Sequence, residues 1–119
     1  MPATLERSAT RVEKEMTVLN EHGLHARPAA DFVRCAARFA STIRIVVRGQ
    51  EFSAKRVVEV LFANLGRGTV FTVIAEGADA VVAVATLEAL LAQLAAGDIE
   101  AREGRFGWRV RGVRDLFVD

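Results

Sequence analysis

Cysteine is nearly absent from this chain, since Cys35 is the only one among 119 residues. A lone thiol excludes an internal disulfide and is typical of a protein from a reducing compartment. Charge of one sign is also lacking, because sixteen basic residues oppose fifteen acidic ones for a net charge of +1. This balance gives no global field to attract nucleic acid or lipid, so any electrostatic recognition has to be local.

Long hydrophobic runs are scarce as well. Residues 1–16 contain no apolar segment of the kind found in a secretory signal, so we expect a cytoplasmic protein. One run, residues 78–97, is about as long as a membrane span needs, but it contains Asp79, Glu88 and Gln93. On a helix, one face would collect Ala80, Ala83, Val84, Leu87, Leu90, Leu91 and Leu94. This pattern favours a core-facing helix over membrane insertion.

The periodicity of the remaining chain predicts one α+β domain. Alternating side chains indicate strands at residues 12–19, 42–48, 50–53 and 69–76. Helical patterns cover residues 27–40 and 55–65, and a third helix is expected from a cap at Asp79 to a stop at Gly97. Cys35 is placed at the edge of the first helix, off its apolar face, as an unreactive bystander. This order predicts a sandwich with one sheet and its helices packed on a single face.

Three segments are expected along the chain. Residues 1–11 are polar and form an N-terminal tail, residues 12–97 form the domain, and residues 98–119 form a C-terminal extension. In a strand within the extension, Phe106, Trp108 and Val110 would share a face. We expect these side chains to pack on the domain or on a neighbouring copy; the alternative is an extension that packs on nothing.

Both histidines lie in one short segment, NEHGLHARPAADF, residues 20–32. His25 immediately precedes a predicted helix with Pro28 in its first turn, a position that favours proline. The first turn of a helix presents unpaired N–H groups and the positive end of its dipole, which together bind anions. Arg27 adds a guanidinium suited to phosphate oxygens, and a neutral imidazole is a competent nucleophile. The segment therefore has the parts of a phosphoryl-accepting histidine.

Two other interpretations of the same segment compete with this one. His25 could simply cap the helix beside a solvated arginine. His22 and His25 also have the spacing of a metal-binding pair, but they lie on a loop, and no further ligands for tetrahedral zinc are evident. We therefore expect no metal.

A family resemblance favours the phosphoryl acceptor. GLHARPAADFV (residues 23–33) and AKRVVEVLFANLGRGTVFTVIAEGADA (residues 54–80) resemble the histidine-containing phosphocarrier protein, HPr, of the bacterial phosphotransferase system. The resemblance extends from residue 12 to about residue 94. It implies a four-stranded antiparallel sheet with three helices on one face, the open-faced sandwich of that family.

The same resemblance assigns roles. His25 would be phosphorylated at Nδ1 and Arg27 would be the partner of the phosphoryl group, whereas His22 would have no role. Phosphorylated enzyme I, itself charged by phosphoenolpyruvate, would be the donor and an enzyme IIA domain the acceptor, with no cofactor held by this chain. Whether the acceptor serves sugar transport or a nitrogen-type system is left open. The alternative function is a non-catalytic regulatory module that docks through its second helix.

The chain departs from the family at the start of that second helix. Many members have a regulatory serine there, phosphorylated by a dedicated kinase, but this chain has Arg56, and nearby Ser53 is predicted to be an N-cap. The helix is apolar nearly all round, and some of these side chains are expected to face outward as a docking patch. The resemblance places Val57 and Val58 outside, with a rim of Arg27, Arg34 and Arg56 for partners with acidic surfaces.

Overall fold

Seven elements follow one another in a computed structural model that describes residues 10–102, with side chains described to Gly97. The four strands are β1 (Arg11–Thr17), β2 (Thr42–Val47), β3 (Gln50–Ser53) and β4 (Val70–Glu76). The three helices are α1 (Arg27–Ala36), α2 (Val57–Phe62) and α3 (Ala80–Arg102). The predicted order of elements is confirmed.

The strands form one antiparallel sheet in the order β1-β4-β2-β3. β2 alternates between a buried and a more exposed side, with Ile43, Ile45 and Val47 buried. Because successive side chains of a strand point to opposite faces, these residues line the face that the helices cover. α3 packs on β1 and β4 and contacts α1, and α1 in turn contacts α2. The open-faced sandwich is therefore confirmed.

The core lies between that face of the sheet and the apolar stripes of α1 and α3. Phe32 of α1 and Phe71 of β4 meet edge to face at its centre, with ring centroids 6.3 Å apart. The stripe predicted for α3 is buried as expected, with Leu94 partly so. By length and composition Ala80–Gly97 could cross a membrane, but a core helix passes the same test, and here the stripe is covered by the domain.

The first helix ends earlier than its periodicity predicts, at Ala36 and not at residue 40. After Ala36 the chain tightens, since the N–H groups of Arg38 and Phe39 donate to residues three positions earlier. The Asp79 carboxylate, just before α3, then accepts the main-chain N–H groups of Ala40 and Ser41 at 2.8 and 2.9 Å. It also accepts the Ser41 hydroxyl. These bonds hold residues 40 and 41 outside the helix. Asp79 precedes α3 as predicted, but its carboxylate accepts hydrogen bonds from Ala40 and Ser41, in the segment that follows α1.

The second helix is shorter than predicted at both ends. Arg56 has an extended backbone, with φ −125° and ψ 116°, so the helix begins only at Val57. Ser53 is not the N-cap, since its hydroxyl accepts the N–H of Lys55 at 3.1 Å within the preceding turn. At the other end Asn64 adopts φ 55°. This left-handed residue ends the helix before the glycines expected to stop it, because asparagine tolerates that conformation.

The prediction that Gly97 ends the third helix is wrong, because α3 continues to Arg102. A glycine inside a helix costs only about 1 kcal/mol relative to alanine, and the alanines and leucines before it are strong helix formers. The helix therefore crosses the boundary expected at residue 97. Residues 1–9 and 103–119, with the predicted tail and most of the predicted extension, lie outside the described residues.

Cys35 was expected off the apolar face of α1, but it belongs to the core and is only 2% exposed. Burial raises the pKa of its thiol. A protonated thiol in an apolar environment is a poor nucleophile, because the thiolate is the reactive form. The predicted position of Cys35 off the apolar face is therefore wrong. The thiol is still expected to be unreactive.

Candidate functional site

The loop between β1 and α1, residues 18–26 and called here the histidine loop, is held from both of its sides. The Asn20 side chain is buried, and its Nδ2 donates a hydrogen bond to the carbonyl oxygen of Gly23 at 2.7 Å. The next residue, Leu24, is fully buried, and its N–H donates to the carbonyl oxygen of Leu65 at 2.8 Å. The backbone that leads into His25 is therefore fixed by the loop that follows α2.

Gly23 is required where these two loops meet. Its φ is +72°, and a Cβ at this position would lie 2.5 Å from the carbonyl oxygen of Leu65 and 2.8 Å from the Cα of Gly66. Only glycine combines this left-handed backbone with so close an approach. Gly23 therefore forms a fixed and crowded turn.

No side chain among residues 10–97 caps the N-terminus of α1. Ala26 is its N-cap residue, with φ 52° and ψ −119°, and has no side chain that could accept a hydrogen bond. Pro28 lies in the first turn, where its missing N–H is not needed. The remaining N–H groups of a first turn have no partner within the helix. This end of α1 is therefore open to an anionic group.

His25 and Arg27 flank Ala26 at this open end, and both side chains are exposed. Within residues 10–97 neither side chain has a hydrogen bond or an ion pair. His22 is also exposed, and it lies in the turn before Gly23, three residues before His25. His25 is the histidine that immediately precedes Ala26, the N-cap residue of α1.

This arrangement can support nucleophilic chemistry on an anionic group. A solvent-accessible imidazole can approach phosphorus, while a guanidinium and helix N–H groups can hold phosphate oxygens by charge-assisted hydrogen bonds. Among the residues described, no group of three or more His, Cys, Asp or Glu side chains could hold a metal ion.

An exposed apolar surface lies on α2, formed by Val57, Val58, Leu61 and Phe62 and called here the α2 patch. Val58 is 57% exposed and Phe62 is 75% exposed, whereas Val60 on the same helix is fully buried. α2 contacts α1, so the patch lies on the helix next to the one that follows His25. Val57 and Val58, the two residues singled out from the resemblance, both belong to it.

Two of the three arginines expected to rim the patch are already paired. Arg34 donates to the Asp31 carboxylate at 2.6 Å, and Arg56 lies 3.6 Å from the Glu59 carboxylate. Both arginine side chains are largely exposed. Exposed pairs of this kind are weak and open readily to another carboxylate. Of the three, only Arg27 has no ion-pair partner among residues 10–97.

Sequence reasoning missed two residues that position the site. Asn20 holds the histidine loop through Gly23, and an asparagine three residues before a glycine is a turn signal that could have indicated it. Arg48, in the turn between β2 and β3, donates to the carbonyl oxygens of Ala63 and Asn64 at the end of α2. That contact depends on the tertiary fold and has no local signal.

Comparison with known proteins gives one consistent result. A family model described as the PTS HPr component phosphorylation site matches residues 12–93. Phosphocarrier protein HPr of Vibrio cholerae is 43% identical over 82 residues, which are 69% of this chain and 96% of that protein. The crystal structure of phosphocarrier protein HPr from Bacillus anthracis aligns with a TM-score of 0.65 at 38% identity, covering 67% of this chain and 95% of that one. HPr-C-His from Thermoanaerobacter tengcongensis aligns with a TM-score of 0.69 at 32% identity, covering 71% and 96%.

Proposed function

The chain belongs to the HPr family of the phosphotransferase system, and from this premise we propose that it carries a phosphoryl group on His25. The donor is phosphorylated enzyme I, charged by phosphoenolpyruvate, and the acceptor is an enzyme IIA domain. The observation that supports this most is an exposed histidine beside the start of α1, where no side chain among residues 10–97 pairs with His25 or caps the helix.

In the proposed transfer, Nδ1 of His25 attacks the phosphorus atom. The new nitrogen–phosphorus bond forms as the bond from phosphorus to the donor breaks, and the same exchange in the other direction passes the group to the acceptor. The Arg27 guanidinium and the first-turn N–H groups of α1 hold the phosphoryl oxygens during both steps. The N–H groups are fixed by the helix before the reaction, so they need little reorganisation when charge moves. The chain needs no cofactor of its own, and any magnesium acts on the donor enzyme.

Partners dock on the α2 patch in this proposal. An apolar centre such as Val57 and Val58 provides the area that loses water, and the arginine rim of Arg27, Arg34 and Arg56 steers partners with acidic surfaces. A carrier has to release each partner after transfer, and a small patch with a charged rim suits fast and transient association. The ion pairs of Arg34 and Arg56 would be exchanged for pairs with the partner.

Kinase control through a serine at the start of α2 is not expected in this chain. Arg56 stands at that position and has no hydroxyl group to accept a phosphoryl group. A phosphoserine there would add a charge of about −1.5 to −2 beside the docking surface, whereas Arg56 adds a fixed positive charge. We therefore propose a carrier that stays competent to dock.

The test of this function is onward transfer. The chain is first charged with labelled phosphoenolpyruvate and enzyme I, then separated and mixed with an enzyme IIA domain. Loss of label from the chain and its gain by the IIA domain are expected for a carrier. A module that only docks would bind enzyme I without becoming labelled.

A further inference from the structure

A shallow groove of about 340 Å³ lies between β1 and α3, away from the α2 patch. Its floor is apolar, with Met16 and Leu91 almost fully buried and Leu19 58% exposed. Its rim carries two carboxylates, Glu15 and Glu88. The groove is lined by Glu15, Met16, Thr17, Leu19, Glu88, Leu91 and Ala92.

The groove follows an open sheet edge. β1 is the first strand of the order β1-β4-β2-β3, so its second side has no neighbouring strand among the described residues. α3 runs in the same direction as β1, since Lys14 pairs with Glu88 at 3.5 Å while the groove joins Leu19 to Leu91 and Ala92 farther along both elements. A chain that turned back after α3 would run antiparallel to β1. Antiparallel pairing is the arrangement that forms most readily at such an edge.

The sequence after α3 has the pattern that this groove would accept. Residues 104–114 read GRFGWRVRGVR, with four arginines and no acidic residue. In an extended conformation, Phe106, Trp108 and Val110 would lie on one side and Arg105, Arg109 and Arg111 on the other. The apolar side matches the floor of the groove, and the arginines would lie on the opposite face of the sheet beside Glu15, which alternates with buried Met16.

The segment after α3 is also long enough for Trp108 to reach the groove. Arg102 lies eleven residues beyond Leu91 on α3, which is about 16 Å at 1.5 Å per residue. The six residues from Arg102 to Trp108 span about 20 Å when extended. Gly104 gives the backbone freedom for the reversal. Trp108 can therefore come level with Leu91 without strain.

We infer that residues 104–114 fold back onto their own domain as a strand along β1, with Trp108 in the groove between β1 and α3. The added strand covers the open edge, which would otherwise be available for pairing with another molecule. The occupant is the chain's own segment, because it is tethered next to the groove and has the complementary charge. A short tether gives an effective concentration in the millimolar range, above that of any separate partner of similar affinity.

The test uses the full-length chain and Trp108, which is the only tryptophan. Its emission should be that of a shielded indole, independent of protein concentration, and should shift to the solvent-exposed value in Leu19→Glu. Val81→Glu is the matched control, since Val81 is an exposed apolar residue at the other end of α3 and this variant should keep the native emission. Hydrogen exchange should show the same contrast, with loss of protection at the outward N–H groups of β1 in Leu19→Glu only.

A charge reversal keeps the inference testable if Leu19→Glu disturbs the fold. Glu15→Lys should increase the exposure of Trp108, and added Arg109→Glu and Arg111→Glu should restore shielding. A solvent-exposed Trp108 in the native chain would overturn the inference. So would shielding that survives the groove variants, which would place the segment elsewhere, and shielding that grows with concentration, which would indicate a second copy as the occupant.

Discussion

The main-chain N–H of Leu24 donates a hydrogen bond to the carbonyl oxygen of Leu65 at 2.8 Å, and this bond joins the histidine loop to the loop that follows α2. The residue that would receive the phosphoryl group and the helix that would receive the partner therefore share one support. A shift at the end of α2 would be passed directly to His25. The proposed docking and transfer surfaces are thus held in a fixed relation by the backbone.

Gly23→Ala should weaken this support. Its new Cβ would meet the carbonyl oxygen of Leu65 at 2.5 Å in addition to the cost of a positive φ. Alanine in a left-handed conformation costs roughly 1–2 kcal/mol, and the clash adds to this. We expect a loss of unfolding free energy larger than in Gly49→Ala, where φ is +77° but nothing lies within 4 Å. Urea denaturation measures both, and equal losses would contradict the close approach.

Arg27→Ala should slow phosphoryl transfer without affecting the fold. A hydrogen bond to a charged group contributes about 1.5–3 kcal/mol, so we expect a rate lower by roughly ten- to a hundredfold. Arg38→Ala is the control, because Arg38 is an exposed arginine just beyond the other end of α1. Rapid-quench measurement of transfer from enzyme I compares the two. A rate for Arg27→Ala as fast as for Arg38→Ala would remove Arg27 from the site.

Arg56 should set the salt dependence of docking. Arg56→Ser removes one positive charge, and Arg56→Glu replaces it with a negative charge next to Glu59. We expect the transfer rate from enzyme I at low salt to fall in the order Arg, Ser, Glu. The differences should shrink at moderate salt, because ions screen exposed charges over about 10 Å at 0.1 M. Equal rates at low salt would show that Arg56 is a neutral substitution.

Asp79 should make the stability of the domain depend on acid pH. The hydrogen bond from the Ser41 hydroxyl, followed by the N–H of Ala40, lowers the pKa of Asp79 below its ordinary value. A lowered pKa in the folded state means that the contribution of Asp79 is complete above the unfolded pKa of about 3.9 and is lost as pH falls through the folded pKa.

The free energy of unfolding therefore distinguishes native protein from Asp79→Ala. The difference between them should be constant at neutral pH and should shrink as the pH falls below about 3.9. Ser41→Ala removes the largest cause of the shift and should reduce this pH dependence. A difference that stays the same down to the acid end would mean that the carboxylate does not ionise differently in the two states.

The order of elements was predictable because it depends on local periodicity, whereas helix ends depended on distant groups. Nothing near residue 40 indicates that Asp79 would hold its N–H. The early end of α2 at Asn64 follows from a positive φ that asparagine permits but does not require. The position of Cys35 was predicted wrongly because the sequence of a ten-residue helix does not show how wide its buried face is.

Those parts of the candidate site that lie close together in the sequence were predictable. His25, Arg27 and Pro28 are adjacent in sequence, so a helix start brings them together whatever the rest of the fold does. The pairing of Arg34 with Asp31 and of Arg56 with Glu59 follows from a spacing of three residues, and this signal was overlooked. The anchoring of the loop by Leu65 could not be read from the sequence, because it joins residues 41 positions apart.

Phosphorylation by enzyme I and phosphoenolpyruvate tests the central claim most directly, with His25→Ala and His22→Ala as a matched pair from one loop. The native chain and His22→Ala should each gain one phosphoryl group, which acid should remove as it does from a phosphoramidate. His25→Ala should gain none while keeping its fold and its affinity for enzyme I. Label that persists in His25→Ala would contradict the account.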